Sequence, residues 1–175
     1  MAQRILCPTD LTANTKDSVA YSLALAKRNS AHLIVFHTMS FPSFYSYPCE
    51  MELYLQLELA SKFKVDHLLK QAEANVRHFV CAISRAERSG VAWKPKVSLG
   101  KVADEIVAAA IQEEVELIVM ARRKRGMLPR TLRRSISETV TRNAPCPVLS
   151  IYPTQVIRPT QGWRVPMLGE IAESS

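Results

Sequence analysis

The sequence predicts an α/β fold, a doubly wound parallel sheet of five strands with helices on both faces. Two observations predict it. Short runs of β-branched and aliphatic residues alternate along the chain with longer segments of helical period. Those short runs are also continuously apolar, as strands are when helices cover both faces of their sheet.

Arg4 to Thr9 is the first strand, with Ile5, Leu6 and Cys7 in a row and Asp10 at its carboxyl end. Asn14 is placed to cap a helix whose apolar positions Val19, Leu23 and Ala26 recur at helical spacing, and Asn29-Ser30 ends it. His32 to His37 is the second strand. Ser40 to Cys49, with Pro42, Pro48 and aromatic residues but no period, reads as a loop. A long helix follows, its stripe Val65, Leu69, Ala72, Val76, Phe79 and Ile83 stepping by fours and threes. That spacing also suits a coiled coil, but the stripe ends at Ser89-Gly90 and a strand-like segment, Val91 to Leu99, comes next. Gly100 turns the chain into a helix from Val102 to Glu113, and Val115 to Met120 is the fourth strand. Ser135 begins a helix to Asn143, and Val148 to Tyr152 is the fifth strand.

With 175 residues, 47% of them hydrophobic, the chain is long enough for one domain and its core. Residues 1–152 form that domain; 153–175, with Pro153, Pro159 and Pro166 and no clear period, is an extension that is either irregular or packed on a partner. No apolar run is long enough to span a bilayer, and the first residues lack the apolar stretch of a secretory signal, so the expectation is a cytoplasmic protein without a membrane partner. The four cysteines, Cys7, Cys49, Cys81 and Cys146, show no metal-ligand spacing and read as reduced thiols; Cys7 and Cys146, beside strands, read as small buried hydrophobes.

The net charge of +7 has one source. Arg122, Arg123, Lys124, Arg125, Arg130, Arg133 and Arg134 fall in one window that holds no acid. Without these seven, the remaining basic residues equal the 16 acids, so a single basic loop carries the whole excess.

Ile5-Leu6-Cys7-Pro8-Thr9-Asp10 and Gly100-Lys101-Val102-Ala103-Asp104-Glu105-Ile106 resemble the opening strand and a later strand-to-helix turn of the universal stress protein family. Glu116 to Met120, then Ser135-Ile136-Ser137-Glu138 and Asn143-Ala144-Pro145-Cys146-Pro147-Val148-Leu149, is the most specific match. The resemblance covers about residues 2 to 152 and implies an adenine-nucleotide α-hydrolase-like sheet, a non-enzymatic stress-response homodimer, and in some members an ATP site. Nucleotide-binding members carry a glycine, two residues, a second glycine, nine residues, and a glycine followed by Ser or Thr. Here that spacing falls on Ala121, Lys124, Arg134 and Ser135, so all three glycines are absent. Glycine serves there because backbone N–H groups must approach phosphate closely and the turn can need positive φ, both of which a Cβ obstructs.

The resemblance therefore implies the fold and leaves the cofactor expectation at none, with ATP or AMP as the alternative. In that alternative Asp10 contacts the adenosine half, although an acid in a strand-to-helix loop also serves its own turn. Ser135 is placed to donate to phosphate, or with Glu138 to form a capping box. The loop Arg122 to Arg134 is a solvated loop, a guanidinium site for an anionic small molecule, or a polyanion patch. No aromatic residue lies between Arg122 and Arg142 to stack a base, which argues against nucleic acid. His32, His37, His67 and His78 stand beside no nucleophile elbow, and Asp104-Glu105 and Glu113-Glu114 are expected on solvated helix faces. The expected partners are a second copy, meeting near Val148 to Tyr152 because that apolar edge strand exposes unpaired backbone groups, and an unidentified protein client.

Overall fold

The computed structural model describes residues 3–39, 62–83, 85–121 and 136–151. In chain order these form β1 (Arg4–Pro8), α1 (Ala13–Asn29), β2 (His32–Met39), α2 (Lys62–Cys81), the single turn α3 (Arg85–Arg88), β3 (Trp93–Leu99), α4 (Val102–Gln112), β4 (Leu117–Ala121), α5 (Ile136–Asn143) and β5 (Val148–Ile151). The five strands make one sheet in the order β3-β2-β1-β4-β5, and every pairing is parallel. The predicted fold class is the one observed.

The pleat sends alternate side chains of each strand to opposite faces, and each face buries a separate core. Ile5, Cys7, Leu33, Val35, Leu117 and Val119 face Val19, Leu23 and Ala26 of α1 and Val76 and Val80 of α2. Leu6, Ile34, Phe36, Ile118 and Met120 face Ile106, Ala109 and Ala110 of α4 and Val140 of α5. Because β1, β2 and β4 are covered on both faces, their sequences run apolar without alternation. At the edge, β3 alternates instead: Trp93 and Val97 join the α1 and α2 side, while Lys94 and Lys96 point the other way. Pro95 sits opposite Val35 in this edge strand, where a residue without an N–H is tolerated.

Several boundaries differ from the sequence reading; β3, for one, starts at Trp93 and not at Val91. The first helix starts at Ala13 with Thr12 in the cap position, so Asn14 lies inside the first turn and does not cap it. The second helix ends at Cys81, and the chain turns through Gly90 at φ +77 before β3. Val115 is a buried connector before β4 and not part of it. Gly100, at φ +158, makes the turn into α4, where a Cβ would come 2.6 Å from a Glu105 carboxylate oxygen.

Glu113 is also not on a solvated face. It follows α4, keeps 17% of its side-chain exposure, and takes Lys94 Nζ at 2.7 Å on one oxygen and Lys96 Nζ at 2.8 Å on the other. Those lysines hold its carboxyl below the usual carboxylate range. Arg4 adds a 2.7 Å bond to the Glu113 carbonyl, so β1, β3 and the end of α4 are tied together at the amino ends of the strands. The segment 40–61 and residue 84 lie outside the described residues, as do the basic loop 122–134, Ser135, and 152–175.

Candidate functional site

From β1 the chain moves outward through β2 to β3, then crosses to the other side of β1 for β4. The helices after β1 and β4 consequently pack on opposite faces, and the sheet opens a crevice at the carboxyl ends of those two strands. Asp10 stands just past the end of β1, and Ala121 is the last residue of β4. The sheet thus brings two of the five sequence-predicted site positions to one crevice. Lys124, Arg134 and Ser135 lie outside the described residues.

The turn carrying Asp10 is built from side-chain oxygens. Asp10 Oδ1 accepts the Thr12 N–H at 3.0 Å, the Thr12 hydroxyl at 2.6 Å and the Thr15 hydroxyl at 3.0 Å. Thr15 also reaches the Thr12 carbonyl at 3.0 Å, and because it carries one hydroxyl proton these two donations alternate. Thr9 Oγ1 accepts the Leu11 N–H at 3.0 Å and pairs with the Thr15 hydroxyl at 2.8 Å. Leu11 itself adopts φ +60. That conformation costs a residue with a Cβ about 1–2 kcal/mol, and the surrounding bonds to Thr9 and Asp10 hold it in place.

β2 supplies the outer support. His37 Nδ1 lies 2.8 Å from the Thr9 carbonyl. A carbonyl only accepts, so Nδ1 carries the proton and the tautomer is fixed. Thr9, Thr15 and His37 are therefore parts of the turn that the sequence reading missed. No local sequence pattern marks His37; its place follows from register, since it follows Phe36, the partner of Pro8, and Thr9 N–H donates to the Phe36 carbonyl at 2.8 Å.

Below the turn, α1 buries a row of hydroxyls. Ser18 donates to the Thr15 carbonyl at 2.8 Å and Ser22 to the Ser18 carbonyl at 2.7 Å, both serines fully buried. Ser22 and Ser18 lower the pKa of the adjoining Cys7 thiol, yet burial outweighs them and pushes it up to about 11. Burial pushes Cys146 up to about 11 as well. Thiols held protonated in this way are poor nucleophiles, and among the described residues the crevice offers an oriented carboxylate without a nucleophile and base set against each other. Among the described residues no three His, Cys, Asp or Glu gather where a metal ion would fit. No helix among them is long and apolar enough to cross a membrane.

Comparison with known proteins follows the same outline. The sequence profile of the universal stress protein family matches residues 1–151. The universal stress protein MJ0531 of Methanocaldococcus jannaschii is 28% identical over 149 residues, covering 85% of this chain and 81% of its own length. A universal stress protein of Thermus aquaticus, encoded beside a QAH/OAS sulfhydrylase gene, is 29% identical over 154 residues, covering 86% of this chain and 99% of its own. A universal stress protein solved in complex with cAMP shares the fold, with a TM-score of 0.54, 17% identity, and coverage of 85% of this chain and 95% of that one. A profile spanning both cores, the switch crevice and all five strands leaves one assignment: this chain belongs to the universal stress protein family.

Proposed function

We propose that this protein is a non-enzymatic stress-response interaction or regulatory protein that acts as a cytoplasmic homodimer joined through β5, with a protein client and a degenerate nucleotide loop. The contrast between the two sheet edges carries this reading. β3 is blunted by Lys94, Pro95 and Lys96, devices that keep an edge from pairing. β5 has neither charge nor proline in Val148-Leu149-Ser150-Ile151, and all four residues are half-buried in the single chain. A second copy related by a twofold axis would pair this edge antiparallel and extend the sheet. Sedimentation equilibrium of the wild type and Ser150→Pro tests it: a dimer that the proline dissociates supports the pairing, and a wild-type monomer at high micromolar concentration removes it.

Asp10 favours a second reading, a stress switch that binds ATP or AMP. It stands at the switch crevice where α/β sheets take ligands, and a solved family member was obtained with cAMP. In this reading Asp10 meets adenosine, and Arg122 to Arg134 with Ser135 meet phosphate in place of the glycine backbone. Against tight binding, Asp10 Oδ1 already serves Thr12 and Thr15, so a ligand must compete with the turn for it.

A further inference from the structure

α1 ends in a left-handed cap that holds a serine. Ser30 has φ +51 and ψ +34, its N–H reaches the Lys27 carbonyl at 3.5 Å, and the Ala31 N–H closes the cap on the Ala26 carbonyl at 2.9 Å. Glycine takes this conformation freely and a residue with a Cβ does not. Ser30 is exposed, and among the described residues its hydroxyl has no hydrogen-bond partner. The side chain therefore adds strain to the cap and no bond to the fold. A strained residue whose side chain the fold leaves unused points to a use outside the fold. We propose that Ser30 is a phosphoacceptor for a protein kinase that selects basic substrates.

Protein kinases choose their substrates largely by the charge pattern around the hydroxyl. Of all the serines and threonines in the chain, two have a base three residues earlier, Ser30 and Ser137. Ser30 alone has a second base two residues earlier, in the run Lys27-Arg28-Asn29-Ser30. Both bases are exposed, and among the described residues neither enters an ion pair. The chain from Ser18 to Cys49 contains no acid, and α3, which touches α1, sets Arg85 and Arg88 against Glu87 alone. Ser137 fits less well, because it already has a partner and is followed at once by Glu138.

For the kinase to grip both bases and the serine, the last turn of α1 has to open. Helix ends fray, and from Lys27 to Ser30 no residue is buried, so this opening leaves the core covered. In the transfer Ser30 Oγ attacks the γ-phosphorus of the kinase's ATP. The Oγ–P bond forms, the bond from that phosphorus to the β–γ bridging oxygen breaks, ADP leaves, and the hydroxyl proton passes to the kinase's carboxylate base. The product carries a charge of about −1.5 to −2, which the helix C-terminus disfavours and Lys27 and Arg28 offset. Ser30 precedes β2 at the amino ends of the strands, whereas the crevice beside Asp10 opens at their carboxyl ends. The phosphate is thus a second handle on the molecule, separate from the crevice.

The test is the folded full-length protein incubated with labelled ATP and the catalytic subunit of cAMP-dependent protein kinase as the base-selecting probe, followed by peptide mass analysis. Ser30 is expected to take up about one phosphate per chain, and Ser30→Ala to take up none at that peptide. Lys27→Ala combined with Arg28→Ala, both at exposed positions, is expected to lower kcat/KM of the transfer roughly tenfold or more, and Ser137→Ala to leave it unchanged. Ser30→Gly is expected to raise the melting temperature by about 2–4 °C, since the cap loses strain and no bond. Phosphate on Ser137 in place of Ser30, transfer only after unfolding, or a rate that the loss of Lys27 and Arg28 leaves unchanged would overturn the site. A Ser30→Gly protein less stable than wild type would show that the hydroxyl serves the cap, and would remove the ground for giving it another use.

Discussion

Thr15 donates its hydroxyl to Asp10 across the first turn of α1 at 3.0 Å, so the acid just past the end of β1 is also a brace of the helix that follows it. The same hydroxyl contacts Thr9 at 2.8 Å, and Thr9 is held from β2 by His37. The turn is thus fixed from the helix, from its own strand and from the neighbouring strand. An Asp10 side chain set in this way needs no ligand to order it.

Removing that brace costs stability whether or not a nucleotide binds. Thr15→Val keeps the shape but removes the Thr15 bonds to Asp10 and Thr9, leaving the buried Thr9 hydroxyl only the Leu11 N–H, and is expected to cost about 1–2 kcal/mol in urea denaturation. Asp10→Ala loses the bonds to Thr12 and Thr15 and is expected to cost about 1 kcal/mol. An Asp10→Ala protein as stable as the wild type would contradict the structural role of the carboxylate.

Glu113 links stability to pH. Lys94 and Lys96 lower its pKa in the folded protein, so the unfolded chain binds the proton more readily. The stabilisation is fully present above the ordinary glutamate pKa of about 4.3 and is lost as pH falls through the lower folded value. Glu113→Gln is expected to destabilise by about 1 kcal/mol at pH 7, with the difference from wild type closing in strongly acidic buffer. Denaturation curves at pH 7 and at about pH 3 check it, and a difference that persists undiminished at the lower pH would contradict the ion-pair origin.

The thiols should sort by burial. Cys81 is exposed, Cys146 half-buried and Cys7 fully buried, the last two with pKa pushed up to about 11. Alkylation of native protein at pH 8 followed by peptide mass analysis is expected, among the three described cysteines, to label Cys81 first, Cys146 slowly and Cys7 only after unfolding. Early labelling of Cys7 would mean that the β1–α1 contact opens far more readily than its packing implies.

The sequence shows most plainly what two-sided burial dictates. β1, β2 and β4 read as strands because both faces of each meet helices, and the unbroken apolar runs record that. The start of β3 was harder to place because an edge strand with Lys94 and Lys96 on one side loses the continuous pattern. Thr15, Ser18 and Ser22 form no apolar stripe for the sequence to show, yet they occupy the phase of α1 that meets β1, where Ser18 and Ser22 donate to the carbonyls one turn back. Glu113 looked solvated for a related reason, since its lysine partners come from a strand far away in sequence. For the crevice, strand order alone puts Asp10 and Ala121 together, whereas the support from His37 depends on register, which no local pattern encodes.

The proposed loss of the glycine cradle is tested most directly by calorimetric titration with ATP, ADP and AMP at low and high salt, on wild type, Asp10→Ala, and a variant with Arg122, Arg123 and Arg125 changed to Ala. In the proposed degenerate loop Ala121, Lys124 and Arg134 fall, by sequence spacing, where nucleotide-binding members carry glycine, so the expected result is weak binding or none. Any residual binding should fade as salt screens the arginines over roughly 10 Å, and should vanish in the arginine variant while surviving Asp10→Ala. Micromolar ATP binding that resists salt and disappears with Asp10→Ala would contradict this account and establish the nucleotide switch in its place.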